Sequence, residues 1–205
     1  MLRQKILDYI YDLFLKKVPI EQIYTEKTTA SLRDGWGNKQ ISHLPIYKFF
    51  KLYLEGYKKE AYDSMTEYYL DIAINKKAIY IKKEDGGMKN GSTFQLVDKL
   101  HKELGITLNK DLTNLDINIT KKAIQQRVQY RFNMIDSIKK HGYSPSCQLI
   151  HASYSKDTNK YFLTDGHHRV ATMDILGYKS IPLAINKPVI IKRIRRILRI
   201  LHPKC

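Results

Sequence analysis

Residues 161–182 read YFLTDGHHRVATMDILGYKSIP, and the way this stretch divides into elements decides the fold. Tyr161 to Thr164 suit a short strand, and Asp165 with Gly166 breaks it in a turn. From His167 the pattern is helical until Gly177, and KSIPLAIN then reads as a second strand. Strand, turn, helix and strand in succession predict a compact α/β region.

The turn gathers groups with a shared chemistry. Gly166 permits a tight turn or a close backbone approach. At the start of a helix the first N–H groups lack intrahelical partners and the macrodipole is positive, so an anion finds donors and favourable potential there. Arg169 falls in the first turn, where a guanidinium can clamp a phosphate. His167 and His168 can donate hydrogen bonds or titrate near neutrality. Asp165 has two readings, as helix N-cap and as ligand or base beside a phosphate. The plainer alternative makes Asp165 a cap, Arg169 a surface residue and the histidines polar helix-start residues. Adjacent helical side chains diverge by about 100°, so the two histidines do not share one metal ion. A magnesium ion bridged by nucleotide phosphates and Asp165 is a separate route.

Outward from this stretch, CQLIHASYS at 147–155 reads as a strand, and TKKAIQQRVQYRFNMIDSIKKHG as a helix ended by Gly142. LTNLDINIT at 112–120 alternates as a strand would. Before it, residues 2–18 predict a helix with Leu2, Ile6, Ile10, Leu13 and Phe14 near one face. Ile46 to Ile74 predict one long helix or two broken at Gly56, and aromatics such as Phe49, Phe50, Tyr53, Tyr62, Tyr68 and Tyr69 read as core. Residues 78–83 suggest a short strand or helix end, and 93–103 a helix. The glycine loop between them lacks the ending of a P-loop. The expected organisation is a helical region over 1–111, an α/β region over 112–187 and a basic amphipathic helix over 188–205, an α+β chain in all.

With 205 residues and 43% hydrophobic content the chain can bury a core. Its apolar runs are short and interrupted by charge, so neither a membrane span nor a signal peptide is expected, and the cytoplasm is the expected location. Cys147 and Cys205 are too few for a disulfide framework or a four-ligand zinc site. The net charge of +16 predicts attraction to nucleic acid, nucleotides, phosphorylated metabolites or anionic lipid without choosing among them. Residues 187–205 hold seven basic residues and no acidic one. On a helical wheel Ile190, Ile194, Ile197 and Leu201 oppose Lys192, Arg195, Arg196 and Arg199. Such a helix packs on its own domain, lies on the inner membrane surface, or meets nucleic acid or a partner protein. No nucleic-acid reading module accompanies it, so nucleic acid is not favoured.

On these residues, YFLTDGHHRVATMDILGYKSIPLAI resembles the ParB/sulfiredoxin superfamily: a strand, a G-x-x-R turn, a helix opening on R-x-A and closing on L-G, and a strand beginning I-P. Upstream, LDINI resembles that family's first strand, MIDSIKKHGY its S-I-x-x-x-G helix end and QLIHASY its next strand, so the likeness covers about residues 112–186. It implies a site for ATP, ADP or CTP at the turn, with Gly166, His167, His168 and Arg169 lining the phosphates. His167 stands where sulfiredoxins carry their catalytic cysteine, which excludes that chemistry by that route. ParB proteins continue into a helix-turn-helix domain, whereas only residues 187–205 follow the shared region. The D-G-H-x-R form is most similar to the free serine kinases of the superfamily. That likeness implies that Asp165 assists an acceptor hydroxyl while His167 and Arg169 stabilise the transferring phosphoryl group. DGWG, HLPIYKFFKLYLEG and the tyrosine-rich helix resemble ParB-like proteins found beside surface-polysaccharide genes, which implies a sugar or glycan-precursor acceptor. The alternative is a nucleotide-binding switch or DNA-binding protein that transfers no phosphate.

Three helical residues, Gln126, Arg127 and Arg131, lie where the superfamily places groups facing the nucleotide; a solvated face is the other reading. Trp36, beside Arg33 and Asp34 in a glycine-flanked loop, suits stacking on a sugar or base, or a core anchor. Glu55, Glu60, Glu67 and Glu84 are further carboxylates that spacing does not rank as a general base.

Overall fold

The computed structural model describes residues 15–26, 37–75, 116–145 and 148–185. Within them the order is β1 (Lys16–Pro19), β2 (Ile23–Thr25), α1 (Pro45–Leu54), α2 (Lys58–Asn75), α3 (Ile117–His141), β3 (His151–Ser155), β4 (Lys160–Leu163), α4 (His167–Ile175) and β5 (Ser180–Ile185). The architecture is α+β around one five-stranded mixed sheet, ordered β1-β5-β3-β4-β2. β1 runs antiparallel to β5 and β3 antiparallel to β4, while β3 with β5 and β2 with β4 are parallel.

Alternation along the strands creates the apolar face. In β4, Tyr161 and Leu163 are buried while Lys160 and Phe162 are not. Ile181 and Leu183 do the same in β5, and Val18 in β1 lies opposite Ile181. These side chains join Phe50, Val128, Phe132, Ile135, Val170 and Met173 in one core cluster. Pro182 sits within β5 without breaking the sheet. The N–H of Ala184 points to the Ile150 carbonyl at 2.9 Å, and residue 182 faces the same way, short of the β3 ladder that begins at Ala184.

Most elements read from the sequence within the described residues are present. The aromatic helix divides at Gly56, whose φ of 102° suits glycine, and Tyr57 N–H returns to the Leu52 carbonyl at 3.0 Å. Tyr53 of α1 stacks on Phe132 of α3 with centroids 4.2 Å apart, and its hydroxyl donates to Asp136 Oδ2 at 2.7 Å.

Two readings are corrected. The alternation in LTNLDINIT does not make a strand from Asp116 onward: Asp116 is an N-cap, its Oδ1 accepting from Ile119 N–H at 2.9 Å, and the helix that follows buries Thr120, Ala123 and Ile124. The first region is also not all helical. Pro19 stops a helix from crossing residues 16–20, and Val18, Ile20, Ile23 and Thr25 are buried as β1, a 3-10 turn and β2. Both strands extend the sheet built by residues 151–185, so sheet and core draw on both sides of residue 111. Residues 2–14 of the expected first helix, the 27–36 loop with Arg33, Asp34 and Trp36, residues 78–103, Cys147 and the 188–205 helix lie outside the described residues. Among those described, no helix is long and apolar enough to cross a membrane.

Candidate anion site

The turn after β4 is fixed from beneath. Thr164 and Asp165 N–H groups both point to the His151 carbonyl, at 2.9 and 3.3 Å, which hooks the chain back over β3. Gly166 then takes φ 93°, ψ 13° as the N-cap of α4. A Cβ here would stand 2.9 Å from Ile150 Cγ2 and 3.2 Å from Arg169 Nη2, so the turn needs glycine for both conformation and space.

Asp165 is not the N-cap, for α4 has no side-chain cap. Its Oδ2 accepts instead from Arg169 Nη2 at 3.1 Å, while its side chain stays 55% exposed at the rim. Arg169 does not stand out as a surface clamp either. It is 6% exposed, and its Nη1 donates to the carbonyls of Gln148 and Leu149 at 2.8 and 2.9 Å. Those bonds tie the start of α4 to the segment entering β3, and the guanidinium supplies positive charge from behind the turn.

The two histidines diverge as helical geometry requires. His167 has a backbone hydrogen bond with Leu163, and the Asp165 carboxylate favours its protonated form. Burial, followed by the Arg131 and Arg169 charges, nonetheless holds its pKa below the ordinary histidine value. His168 enters the helical junction: its Nε2 lies 3.0 Å from Tyr69 Oη of α2, and its ring centroid lies 5.9 Å from that of Phe50 of α1. Burial depresses its pKa most, followed by the charges of Arg131, His167, Arg127 and Arg169, so it is neutral at pH 7.

From α3, Arg127 and Arg131 share one helical stripe. Arg131 is desolvated and acts electrostatically on Tyr69, Arg127, Tyr130 and Arg169. Three arginines and two histidines therefore converge where α3 meets the N-terminus of α4. Asp165 is a negative group that acts on His167. Like charges in a desolvated setting repel one another, and a multiply charged anion offsets that repulsion.

Of the sequence candidates, the structure brings together Asp165, Gly166, His167, His168 and Arg169 with Arg127 and Arg131. Gln126 is exposed, a turn of about 100° from Arg127. Of the candidate acids in the helical half, Glu67 pairs with Lys121 at 2.9 Å, Glu55 with Lys51 at 3.8 Å, Glu60 borders a shallow depression of about 540 Å³ at the α1–α2 corner, and Glu84 lies outside the described residues. Tyr69 and Phe50 are residues that sequence reasoning missed as site neighbours. At helical spacing an aromatic reads as core, and nothing local distinguishes the tyrosine that meets a histidine. Among the described residues, no group of three or more His, Cys, Asp and Glu side chains is placed to hold a metal.

Comparison of the chain with models of known protein families, with curated proteins and with solved structures finds no match.

Proposed function

We propose that this chain binds a nucleotide through its phosphates at the N-terminus of α4 and transfers the terminal phosphoryl group to the hydroxyl of a small-molecule or glycan-precursor acceptor. The observation that carries the reading is the Gly166 turn backed by the buried Arg169, with Arg127 and Arg131 acting electrostatically on the histidines that open α4. The ParB/sulfiredoxin-like assignment is part of this proposal. It is supported by the succession of β3, β4, glycine turn, α4 and β5, and by α3 ending at Gly142. Residues 116–119, where the likeness placed part of a strand, form the cap and first turn of α3, and KKVP and IYT extend the sheet.

In this reading the backbone N–H groups opening α4 and the Arg131 guanidinium hold the phosphates, and a ring N–H of His168 donates at their edge. Arg169 is a positioning residue that fixes the turn and orients Asp165. The acceptor oxygen attacks the terminal phosphorus, the bond to the bridging oxygen breaks to release the nucleoside diphosphate, and Asp165 takes the hydroxyl proton. Asp165 would be the protein residue that holds a magnesium ion carried by the nucleotide, and the ion would supply neutralisation of phosphate charge. ATP is the expected donor, with ADP and CTP as competing ligands.

Incubation with labelled ATP, magnesium and panels of amino-acid and sugar acceptors tests the reading. It expects a labelled small molecule that disappears with Asp165→Asn and Arg131→Ala. A second reading, nucleotide binding without transfer, is favoured by one contact: Asp165 already accepts a bond from Arg169. Tight nucleotide binding with no labelled product from any acceptor would select it.

A further inference from the structure

Tyr130 is a large side chain that the core does not use. It is 53% exposed although it lies in the middle of α3, one residue before the desolvated Arg131. The Arg127 guanidinium lies 5.2 Å from the centroid of its ring, and Tyr130 is among the groups that act on Arg131. Arg127, Tyr130 and Arg131 stand at i, i+3 and i+4, so they form one stripe running from the rim of the cationic cluster into it. A half-exposed ring with a guanidinium over it offers a flat apolar surface beside the proposed phosphate site.

We infer that Tyr130 is a stacking platform for the base of the bound nucleotide, with Arg127 fixing the ring and Arg131 holding the phosphates. The inference rests on the phosphate-site reading and adds the part of the ligand that phosphates do not supply. Stacking is tolerant of base identity because every base has a π-face, and it favours purines through their larger area. The platform therefore distinguishes a nucleotide from a bare polyphosphate, and less sharply one base from another.

Calorimetric titration with ATP and with inorganic tripolyphosphate separates the two claims, since the second ligand carries the phosphates and no base. The expected result is that Tyr130→Ala weakens ATP roughly tenfold or more and leaves tripolyphosphate unchanged. Tyr130→Phe should restore ATP binding, because the ring and not the hydroxyl stacks. If tripolyphosphate binds and Tyr130→Ala does not alter ATP, the platform is overturned while the phosphate site stands. If neither ligand binds the wild-type chain, both are overturned. Because Tyr130 is exposed, its replacement leaves the core intact, and coincident thermal unfolding of the two variants with wild type shows that the comparison is of binding.

Discussion

Gly166 and Arg169 carry the turn, and their substitutions should register first as instability. A methyl group at Gly166 adds left-handed strain to a 2.9 Å contact with Ile150, so Gly166→Ala should cost about 2–4 kcal/mol, read as a lower urea midpoint. Arg169→Ala strips two backbone carbonyls of their buried donor and should cost about 2–4 kcal/mol. Loss of nucleotide binding in that variant would reflect the fold as much as the ligand. Arg131 is the contrasting residue. Burial and neighbouring like charges oppose its ionised form, so Arg131→Met should leave thermal stability unchanged or raised while anion binding falls. The histidines give a pH signature. Both have folded-state values below the ordinary 6.5, so the unfolded chain takes the proton first. Stability should be full above that value and fall as pH drops beneath it, until the folded state is itself protonated. Urea midpoints between pH 7.5 and 5.5 should show this decline, and His168→Asn should flatten it.

At the level of elements, local chemistry and long-range pairing were unequally legible in the sequence. α4 and its flanking strands could be read because Gly166, Gly177 and the apolar periods mark their ends within a few residues. The break between α1 and α2 was visible in Gly56 for the same reason. β1 and β2 were not, since four and three residues give too short a period, and what makes them strands is β5 and β4, far along the chain. In LDINI the alternation resembled a strand, and the decisive contact was the Asp116 carboxylate on Ile119 N–H. Asp116→Ala should therefore cost about 1 kcal/mol and lower the thermal midpoint by a few degrees, whereas a strand residue there would show no such capping loss. The turn was legible as a break between strand and helix, but its inward Arg169 was not, because sequence says that an arginine is present and not which way it points. The Tyr69–His168 contact joins residues on different helices and leaves no local trace.

For the whole molecule, the described sheet and core are shared between the first and last parts of the chain. A fragment of residues 112–187 would lack β1, β2 and the α1 aromatics, Phe49 and Phe50, that complete the core. It should show no cooperative thermal transition, while the full chain should show one. The site is likewise a property of the assembled fold. α1 contributes Phe50, α2 Tyr69, α3 Arg127 and Arg131, and α4 its N-terminus with both histidines. That dependence explains why a sequence motif near residue 165 gives only half of the arrangement. The most direct test is to follow the backbone amide resonances of Gly166 to Arg169 while ATP and magnesium are added. The account predicts saturable shifts at these four residues, abolished in Arg131→Met with the fold retained; unchanged resonances with ATP, ADP, CTP and tripolyphosphate alike would contradict it.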